Sequence, residues 1–126
     1  MSNNIVSLNH ASFIVADTVV SLVFYCEVLG LQAMERPDMG FPGAWIQLGQ
    51  GPEQIHLLEL NNPDPIAGRP QHGGRDRHIA LNAMALEPIQ DALNKAGIIY
   101  TMSLSGRRAL FCRDPDGNTI EIIERA

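Results

Sequence analysis

Along this chain apolar and polar positions alternate in short stretches, and two runs of helical period interrupt the alternation. Residues 5–15 alternate as a half-buried strand does. Asp17 or Thr18 then caps a helical run, VVSLVFYCEVLG, which Gly30 closes. Three short strands are predicted next, over about 32–35, 44–48 and 54–60, with Pro- and Gly-rich turns between them. From residue 78 the same order returns. A strand over 78–83 precedes a helix over 86–96, with Pro88 in its first turn and Gly97 past its end. Strands follow at 100–104, 108–113 and 119–124, and DPDGN between the last two is a hairpin turn signal.

The order is βαβββ twice, and the registers agree. His10 to Gly30 is 20 positions (30 − 10) and His78 to Gly97 is 19 (97 − 78). His10 to His56 is 46 (56 − 10), and His78 to Glu121 is 43 (121 − 78). A half of about 55 residues is too small to bury its own sheet. The expectation is therefore an α+β fold in a single domain, residues 1–126. Module 1 covers about 5–60, a linker 61–77 and module 2 about 78–125. Together they form a curved mixed sheet around a cavity.

Four polar residues occupy matching places in that repeat. Side chains on a strand alternate between faces. His10 therefore opposes Ala11, Phe13 and Val15, and His56 opposes Ile55 and Leu57. His78 opposes Ile79 and Leu81, and Glu121 opposes Ile120 and Ile122. The aliphatic face goes under the helices in each case, and the ligand-type residue faces the concave side. One histidine on a half-buried strand is ordinarily a satisfied structural group; four ligand-type residues at equivalent positions predict a metal site.

Composition narrows the partners. A net charge of −5 and a pI near 5.2 exclude nucleic acid and anionic membranes, which require a positive patch. The basic residues gather at 69–77 and 107–108, a scale suited to a small acid. Arg75, Arg77 and Arg108 are the candidates to clamp a carboxylate or phosphate, with Arg107 beside them. Trp45 and Phe41 offer an apolar wall, and His72 lies in the linker. Cys26 and Cys112 sit in apolar segments and read as small buried hydrophobes. The first residues show no basic segment followed by an apolar run, so a cytoplasmic setting is expected.

The segments LNHASFIVAD, FYCEVLGL, IHLLEL, RHIAL and DPDGNTIEIIE together resemble the vicinal-oxygen-chelate superfamily. That superfamily includes glyoxalase I, methylmalonyl-CoA epimerase, fosfomycin-resistance enzymes, extradiol dioxygenases and bleomycin-binding proteins. The resemblance implies metal ligands on the first and fourth strands of each half, here His10, His56, His78 and Glu121. It implies one divalent ion per site: Zn, Ni, Fe(II), Co or Mn. Three imidazoles and one carboxylate suit these better than magnesium or calcium. They would leave the ion a net +1, making it a strong Lewis acid.

The implied activity is that of a glyoxalase- or epimerase-like isomerase or lyase on a small oxygen-rich acid or carbonyl compound, with Glu121 as base. Glu59 is nearby but shares the face of Ile55 and Leu57 and reads as an edge charge. The alternatives are an iron(II) extradiol-type dioxygenase using His10, His78 and Glu121, and a metal-free antibiotic-binding protein. Glutathione-using relatives carry a basic group four positions after the first ligand and an amide four after the second. Here Ile14 and Leu60 stand at those places, against a glutathione substrate. A homodimer is expected with its metal sites at or beside the interface, the halves pairing within or between chains.

Overall fold

The computed structural model describes residues 3–125. The first half runs β1 (His10–Val15), α1 (Thr18–Leu22), β2 (Gln32–Met34), β3 (Gly43–Gln47) and β4 (Gln54–Glu59). The second runs β5 (His78–Ala83), α2 (Glu87–Lys95), β6 (Tyr100–Met102), β7 (Ala109–Arg113) and β8 (Thr119–Glu124). The strands form two four-stranded mixed sheets of the same design, ordered β1-β4-β3-β2 and β5-β8-β7-β6. In each, the first and last strands of the half pair in parallel and the rest antiparallel. No helix among the described residues is long and apolar enough to cross a membrane.

The alternation in the sequence decides which face is core. Val15, Ala44, Ile46, Ile55 and Leu57 from the first sheet are buried with Leu110, Cys112, Ile120 and Ile122 from the second. Leu93 of α2 and Phe24 and Tyr25 from the helix after β1 complete one cluster spanning both halves. Both helices start on the same device. Glu59 Oε1, at the end of β4, accepts the backbone N–H of Thr18 at 2.8 Å, and Glu124 Oε1, at the end of β8, accepts that of Leu86 at 3.0 Å. Glu59 is thus a helix cap rather than a free edge charge. Asp17 caps α1 as well, accepting from the N–H groups of Val19 and Val20.

Three features depart from the sequence expectation. The first strand begins only at His10, and Ile5, Val6 and Leu8 lie outside any strand, 81%, 90% and 68% exposed. The first helix widens after Leu22 into a π-helical segment, Val23–Val28, before Gly30 turns it at φ 77°. The wide turn seats the adjacent Phe24 and Tyr25 both in the core. The linker is not featureless: Gly73–Arg75 forms a 3₁₀ turn lying across β7 and β8. Gly73 is required there, because a Cβ would stand 2.7 Å from Thr119 Cγ2 and 3.0 Å from Phe111 Cβ.

The turn between β7 and β8 locks the halves together. Tyr25 Oη donates to Asp114 Oδ2 at 2.8 Å, the Ala16 N–H donates to Asp116 Oδ1 at 3.0 Å, and Asn118 Nδ2 donates to the Ile14 carbonyl at 3.2 Å. Burial, then the Asp114 carboxylate, push the Tyr25 phenol well above its ordinary pKa. The outer strands β1 and β5 are not paired with each other. Cavities of about 380 and 880 Å³ flank the seam between them, both touching Ala11, His78 and Ile79.

Candidate functional site

Strand register places the four proposed ligands symmetrically. His56 pairs with Ser12 and Glu121 with Ala80, so each lies two residues along from His10 and His78 in the partner strand. All four share the concave faces, yet the chain gathers them as two pairs, one per sheet, and not as one set. Among the described residues no three His, Cys, Asp or Glu side chains converge closely enough to hold a metal.

On the first sheet His56 is sandwiched. The His10 ring stacks on one side at 3.9 Å and the Trp45 ring on the other at 4.4 Å, nearly parallel at 17° and 8°. Trp45 is there because it faces His56 across the β3–β4 ladder. His10 Nδ1 meets Asn9 Oδ1 and His56 Nε2 meets Gln54 Oε1, both at 2.7 Å. The other nitrogen of each ring meets no hydrogen-bond partner among the described residues. Lone pairs lie in the ring planes, so near-parallel rings do not aim at one point, and one must rotate for both to serve a single ion. Burial, helped by His10 and Arg36, lowers the His56 pKa and favours its neutral, ligand-competent form.

On the second sheet the pair is already set. His78 Nε2 stands 3.2 Å from Glu121 Oε1, and His78 Nδ1 is 2.8 Å from the Asp76 carbonyl oxygen. A carbonyl only accepts, so Nδ1 carries the proton and keeps that tautomer in place. Two ligands about 2.1 Å from one ion, roughly 90–109° apart, stand about 3.0–3.4 Å from each other. The observed 3.2 Å fits this separation. Glu121 is buried and its Oε2 has no hydrogen-bond partner; Arg107 Nη2 is near it at 3.5 Å. An unsatisfied buried carboxylate oxygen costs stability unless a cation or donor joins it. His78 and Glu121 thus fit half of a divalent-metal shell.

The supports of this pair lie in the linker. The Asp76 carboxylate receives Arg69 Nε at 2.7 Å, Arg113 Nη1 at 2.8 Å and the Arg77 N–H at 2.8 Å. These bonds, Arg69 first, hold its pKa far below the usual carboxylate range. Phe111, opposite Glu121 on β7, packs edge-on against both His78 and His72 at 5.1 Å, and His72 Nδ1 meets Thr101 Oγ1 at 2.7 Å.

The predicted substrate-contacting residues separate. Trp45 stacks on His56, and Arg75 lines a cavity with Glu121. Arg77 turns to Asp64 at 2.7 Å in an exposed pair. Arg108 lies away from the concave face: it bridges Glu124 and Glu87, joining the end of β8 to the start of α2. Its neighbour Arg107 is the arginine at Glu121. Alternation identifies it, since Arg107 has the parity of Ala109 and Phe111, whereas Arg108 has that of the core residues Leu110 and Cys112. Asp76 and His72 carry no such signal, because linker contacts have no period.

Residues 7–122 match the family model described as the Glyoxalase/Bleomycin resistance protein/Dioxygenase superfamily. "Glyoxylase I 4" of Arabidopsis thaliana is 33% identical over 125 residues, covering 94% of this chain and 71% of that protein. A glyoxalase family protein from Bacillus anthracis has a similar structure, with TM-score 0.80, 23% identity and full coverage of both chains. TnmS3, an antibiotic-binding protein from Streptomyces sp. CB03234, superposes with TM-score 0.76 at 19% identity, covering 99% of this chain and 100% of that one.

Proposed function

The chain belongs to the Glyoxalase/Bleomycin resistance protein/Dioxygenase superfamily, and on that premise we propose that it is a metal-dependent isomerase or lyase acting on a small oxygen-rich acid or carbonyl compound. The observation that carries this reading is the His78–Glu121 pair, fixed 3.2 Å apart with a buried, unsatisfied carboxylate oxygen. Two donors do not complete a shell. His10 and His56 supply the other two, from a second copy whose first sheet faces the second sheet of this one. The exposed apolar stretch Ile5–Leu8 and the unpaired edges of β1 and β5 support such a dimer.

A bound divalent ion would supply Lewis acidity to two neighbouring substrate oxygens. The remaining work falls to side chains of this chain. Glu121 Oε2 accepts the proton from the hydroxyl-bearing carbon beside the substrate carbonyl and returns it to the carbonyl carbon, while the hydroxyl proton passes to the former carbonyl oxygen, so that an isomerisation balances. Buried beside Phe111, that carboxylate is shielded from water. Trp45 offers a flat apolar surface to the rest of the substrate. Ile14 and Leu60 offer no charge or amide to glutathione, so its conjugates are poor substrates.

Elemental analysis after reconstitution and chain mixing test the proposal together. About one ion per chain is expected, with binding abolished in Glu121→Ala and His78→Ala and weakened less in His56→Ala. His10→Ala and Glu121→Ala chains, refolded together, should regain one intact site per mixed dimer. No tight divalent metal under any reconstitution condition refutes the enzyme reading. A metal-free binding protein is the second reading, favoured by the lack of three converging donors among the described residues.

A further inference from the structure

The cavity beside Glu121 holds charge that the metal reading leaves unused. It has a volume of about 380 Å³, at the small end for organic ligands, and Arg75, Arg107, Ser103 and Ser105 line it with His72 and Glu121. The loop between β6 and β7 builds one wall. Ser103 Oγ accepts the Ser105 N–H at 3.2 Å, Ser105 Oγ accepts the Arg107 N–H at 3.3 Å, and Gly106 turns the chain at φ 87°. This folding returns Arg107 to the rim of Glu121. Its ion pair to Oε2, the single one among the described residues, is long at 3.5 Å, so most of its five N–H donors are unspent. The 3₁₀ turn supplies Arg75 from the opposite side, and among the described residues that guanidinium meets no carboxylate.

The balance of charge selects the ligand. Two guanidinium groups against one carboxylate leave this cavity at +1, in a chain of net −5. Of the other arginines, Arg69 and Arg113 are spent on Asp76, Arg77 on Asp64, and Arg108 on Glu87 and Glu124; Arg36 donates to the Phe41 carbonyl, and the exposed Arg125 meets no carboxylate among the described residues. Ser103 Oγ and Ser105 Oγ share one hydrogen bond at 2.7 Å, which leaves the pair one O–H to donate; unspent guanidinium forks beside it match a planar or tetrahedral oxyanion. We propose that Arg75 and Arg107, with the Ser103 and Ser105 hydroxyls, form an oxyanion subsite that holds the carboxylate, phosphate or phosphonate group of a small substrate next to Glu121. As the place of the substrate's acid group it rests on the enzyme reading above; as an anion site it stands by itself. The volume suits a small organic acid.

Calorimetric titration at fixed ionic strength tests it, using inorganic phosphate, methylphosphonate and glycolate on metal-stripped and nickel-loaded protein. The stripped protein should show saturable binding of at least one probe, at one site per chain; the preferred probe tells carboxylate from phosphorus oxyanion. Arg107→Gln and Arg75→Gln should each weaken it at least tenfold. Lys95→Gln, which removes the same charge from the exposed end of α2, should change it less than twofold. Arg107→Lys keeps the charge and should retain part of the affinity, so a misfolded Gln variant leaves the test intact. The subsite is overturned if no probe saturates in either state, if both arginine variants bind as wild type, or if Lys95→Gln weakens binding equally. Binding confined to nickel-loaded protein and indifferent to both arginines overturns the subsite and leaves the metal reading standing. Arginine-dependent binding in a protein that takes up no metal keeps the subsite and ends the metal reading.

Discussion

Gly73→Ala separates the role of the linker turn from that of the sheet beneath it. The added methyl would stand 2.7 Å from Thr119 Cγ2 and 3.0 Å from Phe111 Cβ. Carbon atoms rest at about 3.5–4.0 Å, so the turn must lift by roughly 0.8–1.3 Å to clear the closer contact. Thr119 is a buried strand residue and Phe111 is held between two imidazoles, so the linker yields first. Overpacking of this kind costs about 1–3 kcal/mol. For a domain of this size that lowers Tm by roughly 3–15 °C. The lift also moves Asp76, three residues on, and with it the carbonyl that orients His78. Metal affinity should fall about 10–100-fold, the usual effect of disturbing a ligand's support.

Thr119→Ser removes the first clashing atom and keeps the hydroxyl that Arg113 Nη1 reaches at 2.6 Å. The double variant should therefore recover part of both losses, with a coupling of about 0.5–2 kcal/mol. Thermal denaturation and metal titration of the four proteins give the cycle. A Gly73→Ala protein with unchanged Tm and unchanged metal affinity refutes the tight apposition of turn and sheet.

Asp76→Asn should lower Tm most near neutral pH. The folded pKa is depressed, so the carboxylate stabilises the fold above its ordinary value of 3.8 and loses that contribution as pH falls further. The gap between wild type and variant in a pH series of melts should close on the acid side; a constant gap removes the ion-pair explanation. Tyr25→Phe deletes a buried hydroxyl that donates to Asp114 and should cost about 1.5–3 kcal/mol in urea denaturation. Turnover of the methylglyoxal–glutathione hemithioacetal should be negligible, because Ile14 and Leu60 cannot engage glutathione. A kcat/KM on the order of 10⁶ M⁻¹s⁻¹ in a direct absorbance assay contradicts that reading.

The repeat was legible because its period was. Alternation assigned every core residue of β4, β5 and β8 to the helix side, and the match to the observed register is residue for residue. Glu59 read in the sequence as an edge charge, and its role as a helix cap, shared with Glu124 at the end of the other half, shows only in the fold. The π-helical turn was not legible, since it depends on seating Tyr25 against Asp114, 89 positions away. The clasp on Asp76 was equally hidden: Arg113 reaches it across 37 positions and the Gly73–Arg75 turn has no periodic signature. Arg108 drew attention as part of a charge cluster, and only strict alternation from Phe111 separates it from Arg107.

The lock between the halves has a temporal side. Its three bonds join residues 89, 100 and 104 positions apart, all made by the turn at 114–118. A nascent chain therefore carries the tyrosine, and the backbone groups at the end of β1, without these partners until residues 114–118 have left the ribosome. Parallel pairing of β1 with β4 and of β5 with β8 adds further distant closures. Such connectivity places folding in the millisecond-to-second range typical of non-local topologies. During that interval the apolar face of the first sheet is open to chaperones, or to the second half of a neighbouring polypeptide.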